Sequence, residues 1–154
     1  KGKRMDILLE KATELGVQEF HPLYTERSVR RDSPNSTRWK RVIRSASQQC
    51  GTGHEPVLHP GKSWDEWLQS DSIAQHQLIA SPNAELMLQE TLPDEPPESI
   101  AFLTGPEGGF TDEEVAEMIT LNWVPCQLGS LILRAETAPL AALIILRHRF
   151  GDLG

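Results

Sequence analysis

Cysteine is scarce in this chain, cations are scarce beyond its first third, and no apolar run is long. Each shortage removes a class of protein. Two cysteines in 154 residues, Cys50 and Cys126, match neither a disulfide framework nor a zinc motif, so a reducing cytoplasm is the expected setting. The longest apolar stretch, around 138–146, falls far short of the roughly 18 residues that cross a bilayer. No secretory pattern opens the chain. The histidines at 21, 54, 59, 76 and 148 show no metal-ligand spacing, and no metal is expected. What remains is 38% hydrophobic and 24% charged, an ordinary globular composition with room for one domain. The first residue is Lys1 rather than Met, and a fragment missing its N-terminal part is expected on that ground.

The net charge of −7 argues against a polyanionic partner, but its distribution does not. Residues 1–44 carry eleven Lys/Arg against six Asp/Glu, and residues 45–154 carry four against sixteen. A basic third on an acidic body fits one face meant for an anionic polymer. The candidate phosphate contacts are Arg27, Arg30, Arg31, Arg38, Lys40 and Arg41, in and around "RRDSPNSTRWKR". A solvated charged helix is the alternative reading, and Trp39 in that stretch is either a packing residue or a stacking surface for a base.

Periodicity divides the chain into alternating elements. "MDILLEKATELG" puts Met5, Leu8, Leu9, Ala12 and Leu15 on one helical face before a cap at Gly16. "VQEFHPLYT" reads as a strand, and "TRWKRVIRSASQQC" as a helix capped by Ser36 or Thr37 and ended by Gly51–Gly53. "EPVLHP" is a strand candidate, and "SWDEWLQ" opens a helix with Ser63 and Glu66 as a capping box. "HQLIASP" is a strand, "NAELMLQETL" a helix, "SIAFLTG" a second strand, and "TDEEVAEMITLN" a helix with Thr111 and Glu114 as its capping box. "VPCQLGS" is a third strand before "APLAALIILRHRF", apolar on nearly every side and so expected to be buried. Strands alternating with helices indicate a parallel α/β sheet, whose ligands sit at the carboxyl ends of the strands.

The turn after "SIAFLTG" is "GPEGG". It lacks the Lys of a phosphate-cradling P-loop, and Gly105, Gly108 and Gly109 have the wrong spacing for a dinucleotide fingerprint. Glu107 within it, and Asp112, Glu113 and Glu114 after it, repel phosphate and favour a neutral or cationic ligand, as S-adenosylmethionine is. A turn that merely joins strand to helix is the alternative. Downstream, Arg134 and Glu136 enter an apolar segment, where charges need a partner or a function. A structural salt bridge between them, or with Glu107, is open.

"LTGPEGGFTDEE", "LGSLILRAETAPLAAL" and the terminal "RFGDLG" resemble the ribosomal RNA small subunit methyltransferase E family, the 16S rRNA uridine N3-methyltransferases of the SPOUT, or trefoil-knot, superfamily. "KGKRMDILLEKATELGVQEFHPLYTERS" is similar to the start of that family's catalytic domain. The resemblance implies one catalytic domain over 1–154, an α/β parallel sheet flanked by helices with a C-terminal trefoil knot. In the full protein a small RNA-binding β-barrel domain would precede it. It also implies a homodimer acting on 16S rRNA of the small subunit.

Residue by residue, the S-adenosylmethionine pocket would use Ser81, Pro82, Thr104, Gly105, Pro106, Glu107, Gly108 and Gly109. Leu128, Gly129, Ser130, Leu131, Ile132 and Leu133 would complete it, with Thr137 and Ala138 at its edge. Arg134 and Glu136 match the family's charged pair, and Arg27 a family arginine facing RNA. Arg134 is the candidate stabiliser of developing charge; Glu107 or Glu136 is the candidate base, or else orients Arg134. Gln48 and Thr52 depart from the family's Glu and Arg at this turn. A non-catalytic RNA-binding module on the same fold is the competing reading.

Overall fold

The computed structural model describes residues 2–28, 36–71, 73–151 and 153. The first helix, α1 (Gly2–Glu14), ends where Gly16 turns at φ +80°. A Cβ there would collide with Arg147 Nη1, which donates to Leu15 O at 3.2 Å. The end of α1 is thereby tied to the closing helix. "VQEFHPLYT" is not one strand but two short ones, β1 (Glu19–Phe20) and β2 (Leu23–Tyr24). The break falls at His21–Pro22, because proline has no N–H to give a ladder. Helix α2 (Ser36–Cys50) contains both Ser36 and Thr37, so neither caps it from outside, and Gly51 follows at φ +72°.

Strand β3 (Val57–Leu58) pairs in parallel with β1, and β4 (Lys62–Ser63), a strand that periodicity does not show, pairs in parallel with β2. Helix α3 (Trp64–Leu68) carries the expected capping box of Ser63 and Glu66.

The main sheet has three parallel strands in the order β6 (Ile100–Leu103), β5 (His76–Ala80), β7 (Val124–Cys126). Neighbouring side chains on central β5 point to opposite faces. Ile79 joins Trp67, Leu103, Met118 and Trp123, whereas Leu78 joins Leu88, Cys126 and Ala142. Helix α4 (Asp112–Thr120) therefore covers one face and α5 (Thr137–Phe150) the other. The expected parallel α/β architecture is present. A separate cluster of Leu9, Ala12, Phe20 and Ile43 packs α1 on α2, and Trp39 lies against it as a packing residue.

Two expectations fail. Residues 83–92 are not a helix, and only a 3₁₀ turn forms at Leu88–Glu90. The backbone of this segment binds Gln127 instead: Gln127 N donates to Leu86 O, and Leu88 N donates to Gln127 O, each at 2.9 Å. Helix α5 is not buried all round either. Ala142 is its buried residue, while Ile144 is 50% exposed.

Candidate functional site

The order β6–β5–β7 sets three carboxyl ends side by side, and the loops leaving them meet there. After β5, Ser81 is buried and its N–H donates to Cys126 O at 2.9 Å, while Pro82 is exposed. After β6, Gly109 N closes a turn on Pro106 O at 2.8 Å, with Gly109 at φ +68°. A Cβ on Gly105 would stand 3.1 Å from the backbone of Gly109 and Phe110, so a side chain there would press on the turn's own backbone. Thr104, Gly105 and Pro106 are half-buried, whereas Glu107 and Gly108 face solvent.

The turn is strapped by a segment distant in sequence. Arg27 Nη1 donates to Gly108 O at 2.9 Å and to Phe110 O at 3.1 Å. Its aliphatic stem lies where a Cβ on Gly108 would meet it at 3.1 Å. Buried Glu114 accepts from Glu26 N and from Thr111 N, each at 2.9 Å. Arg27 thus organises the turn in addition to any role toward RNA. Glu114, read from sequence only as half of a capping box, also anchors the 25–28 segment.

After β7, Gly129 adopts φ +142° with open space around it. Leu128 and Leu133 are half-buried, but Ser130, Leu131 and Ile132 face outward, the last two at 78% and 87% exposure. Arg134 O accepts from Thr137 N and Ala138 N and so starts α5.

The expected Arg134–Glu136 or Arg134–Glu107 bridge is absent among the described residues. The cation between the two acids is Arg4, on the first turn of α1. Its Nη1 lies 2.6 Å from Glu107 Oε1 and its Nε 3.8 Å from Glu136 Oε1. Arg134 itself is exposed. Sequence reading missed Arg4, because "KGKRMD" shows charge but not which acids, more than a hundred positions away, it meets. The other oxygen, Glu136 Oε2, is buried without a hydrogen-bond partner, a costly state for a carboxylate unless something binds it.

This donor set can be compared with the implied ligand. It holds open glycine backbone, carboxylates with Arg4 between them and an orphaned carboxylate oxygen, without a phosphate-cradling lysine. That suits the cationic, adenosine-bearing S-adenosylmethionine and not a nucleotide phosphate. A cavity of about 230 Å³ opens instead at the opposite strand ends, between Trp67, Gln77 and Asn122, and none of the expected site residues lines it.

Of the expected RNA contacts, Arg38, Lys40 and Arg41 are exposed along α2, with Arg38 paired to Asp6 of α1. Arg30 and Arg31 lie outside the described residues. Gln48 is exposed, and Thr52 donates to His54 O at 2.7 Å. Two further groups have displaced pKa values in a cluster away from these loops. A hydrogen bond from His59 holds Glu19 below the usual carboxylate range, and burial holds His21 below the usual imidazole range.

The chain is 30% identical to the ribosomal RNA small subunit methyltransferase E of Buchnera aphidicola over 99% of its length, covering 63% of that protein. To the Synechocystis protein of the same name it is 32% identical over 93% of its length, covering 48%. The chain therefore spans about half to two-thirds of these relatives. Its fold superposes with a TM-score of 0.91 and 34% identity on a ribosomal RNA small subunit methyltransferase E from Neisseria gonorrhoeae bound to S-adenosyl methionine, covering all of this chain and 64% of that one. A Legionella pneumophila methyltransferase in complex with the same cofactor gives a TM-score of 0.90 at 34% identity, over 99% of this chain and 64% of that one. The RNA methyltransferase domain family matches residues 1–147, and the chain belongs to that family.

Proposed function

We propose that the chain is the catalytic domain of an S-adenosylmethionine-dependent methyltransferase acting on N3 of a uridine in 16S ribosomal RNA, in the cytoplasm. The observation that carries this reading is the meeting of the "GPEGG" turn and the 128–137 loop on one cation, Arg4, with Glu136 Oε2 buried and unpartnered beside them. When bound, S-adenosylmethionine supplies an electrophilic methyl group on a positive sulfur. The residues that would hold it are those of the three strand-end loops, 81–82, 104–109 and 128–138.

The protein's own share is positioning and proton handling. A uridine N3 must lose its proton to become nucleophilic, and Glu136 or Glu107 takes it in this reading. Arg134, exposed at the loop's end, is free to stabilise the negative charge that spreads to the ring carbonyls. The exposed cations of α2 and Arg27 face the RNA backbone. The 128–137 loop forms the knot of the fold, and the chain pairs with a second copy through the apolar side chains of that loop and of α5.

Calorimetric titration of S-adenosylmethionine, with ATP and NAD as controls, tests the cofactor; selective binding at about one per chain is expected. Methylation of 16S rRNA or of the small subunit by the full-length protein tests the reaction. Arg134→Ala should keep cofactor affinity within about threefold while turnover falls by roughly 10²–10³. Equal loss of both would refute the role given to Arg134. Cofactor binding without any methyl transfer would favour the RNA-binding module.

A further inference from the structure

Glu19, His21 and His59 are scattered in sequence, and no spacing joins them. The β1·β3 pairing does. Its register sets Glu19 opposite Val57 and Phe20 opposite Leu58, and one more step brings His59 alongside His21, with His59 N donating to Phe20 O at 2.9 Å. Glu19 and His21, two apart on an extended strand, share a face. As a result both Nε2 atoms converge on a single oxygen: Glu19 Oε2 lies 3.2 Å from His21 and 2.7 Å from His59. The two rings are stacked, with centroids 4.0 Å apart and planes at 11°.

We infer that Glu19, His21 and His59 form a zinc-binding site that straps β1 to the end of β3. Their ligand atoms all lie within 4.8 Å of one another. A tetrahedral zinc with bonds of about 2.1 Å sets its ligand atoms roughly 3.4 Å apart; Glu19 Oε2 already stands 3.2 Å from His21, its 2.7 Å spacing to His59 must open by about 0.7 Å, and the stacked rings must turn until the metal lies in the plane of each. Two imidazoles and one carboxylate are a zinc donor set, and water supplies the remaining position.

The site is reachable from solvent. The side chains of His21, His59 and Glu19 are 22%, 35% and 53% exposed. Lys62, a cation whose field reaches His21, is held by Ser70 Oγ at 2.6 Å and over the Trp67 ring. The metal would reinforce a pairing only two residues long.

The test is calorimetric titration of zinc chloride at pH 7.5 into the chain carrying Cys50→Ser, which removes the exposed thiol as a competing ligand. Cobalt absorption reports tetrahedral geometry. About one zinc per chain is expected, with affinity at least ~10-fold weaker in Glu19→Gln and in His59→Gln, a rise in melting temperature with zinc only where both residues are intact, and unchanged S-adenosylmethionine binding. No zinc binding would leave the cluster a hydrogen-bonded strap and overturn the site. Unchanged affinity in both variants would place the metal elsewhere and overturn it equally. Should His59→Gln fail to fold, Glu19→Gln, whose side chain is half exposed, decides.

Discussion

At the scale of single residues, environment separates groups that sequence treats alike. Cys50 and Cys126 are both free thiols, one exposed at the end of α2 and the other fully buried in β7 beneath α5. Burial pushes the Cys126 thiol up to about 11, so almost none of it is thiolate near neutral pH. Iodoacetamide at pH 8 should therefore label Cys50 in the folded protein and reach Cys126 only on unfolding, as followed by intact mass. Equal labelling rates in the native chain would contradict the packing of β7 against α5. Arg4 makes the converse point. Its charge was visible in the opening "KGKRMD", but its meaning depends on Glu107 and Glu136, and only the fold brings them within reach.

At the scale of elements, what could be read from sequence was whatever is stabilised locally. Helix α4 begins where Thr111 Oγ1 accepts from Glu114 N at 3.1 Å and Glu114 returns a bond to Thr111 N. All of those partners lie within four residues, so the signature survives in the sequence. Residues 83–92 have helix-forming composition and still do not form one, since their backbone partners lie around Gln127. The break at Pro22 was readable in principle, and was overridden by the β-like composition around it. The cluster of Glu19, His21 and His59 was not readable, because strand pairing alone joins its parts.

The same contrast gives a mutational test. Thr111→Ala removes one cap and should cost about 1 kcal/mol. Glu114→Ala also strands Glu26 N, a tertiary bond, and should cost about 2–3 kcal/mol. Chemical denaturation checks both. Equal losses would mean that Glu114 acts only as a cap.

At the scale of the molecule, the apolar surface exceeds what one chain buries. Leu131, Ile132 and Ile144 are 78%, 87% and 50% exposed, on a loop and a helix that composition alone would have placed inside. Sedimentation at micromolar concentration should show a dimer, and Ile132→Glu with Ile144→Glu should shift it to monomer with the fold retained. A monomeric parent chain would remove the second copy from the proposed site. No helix among the described residues is long and apolar enough to cross a membrane, so a bilayer-spanning helix does not account for that surface.

The strap across the "GPEGG" turn carries one more consequence. Arg27 and Glu26 are held by Gly108, Phe110 and Glu114, so the segment proposed to face RNA and the turn proposed to hold the cofactor share their hydrogen bonds. Whatever repositions one changes the free energy of the other. Two ligands joined in this way are thermodynamically linked: the factor by which the first tightens or loosens the second is the factor by which the second acts on the first.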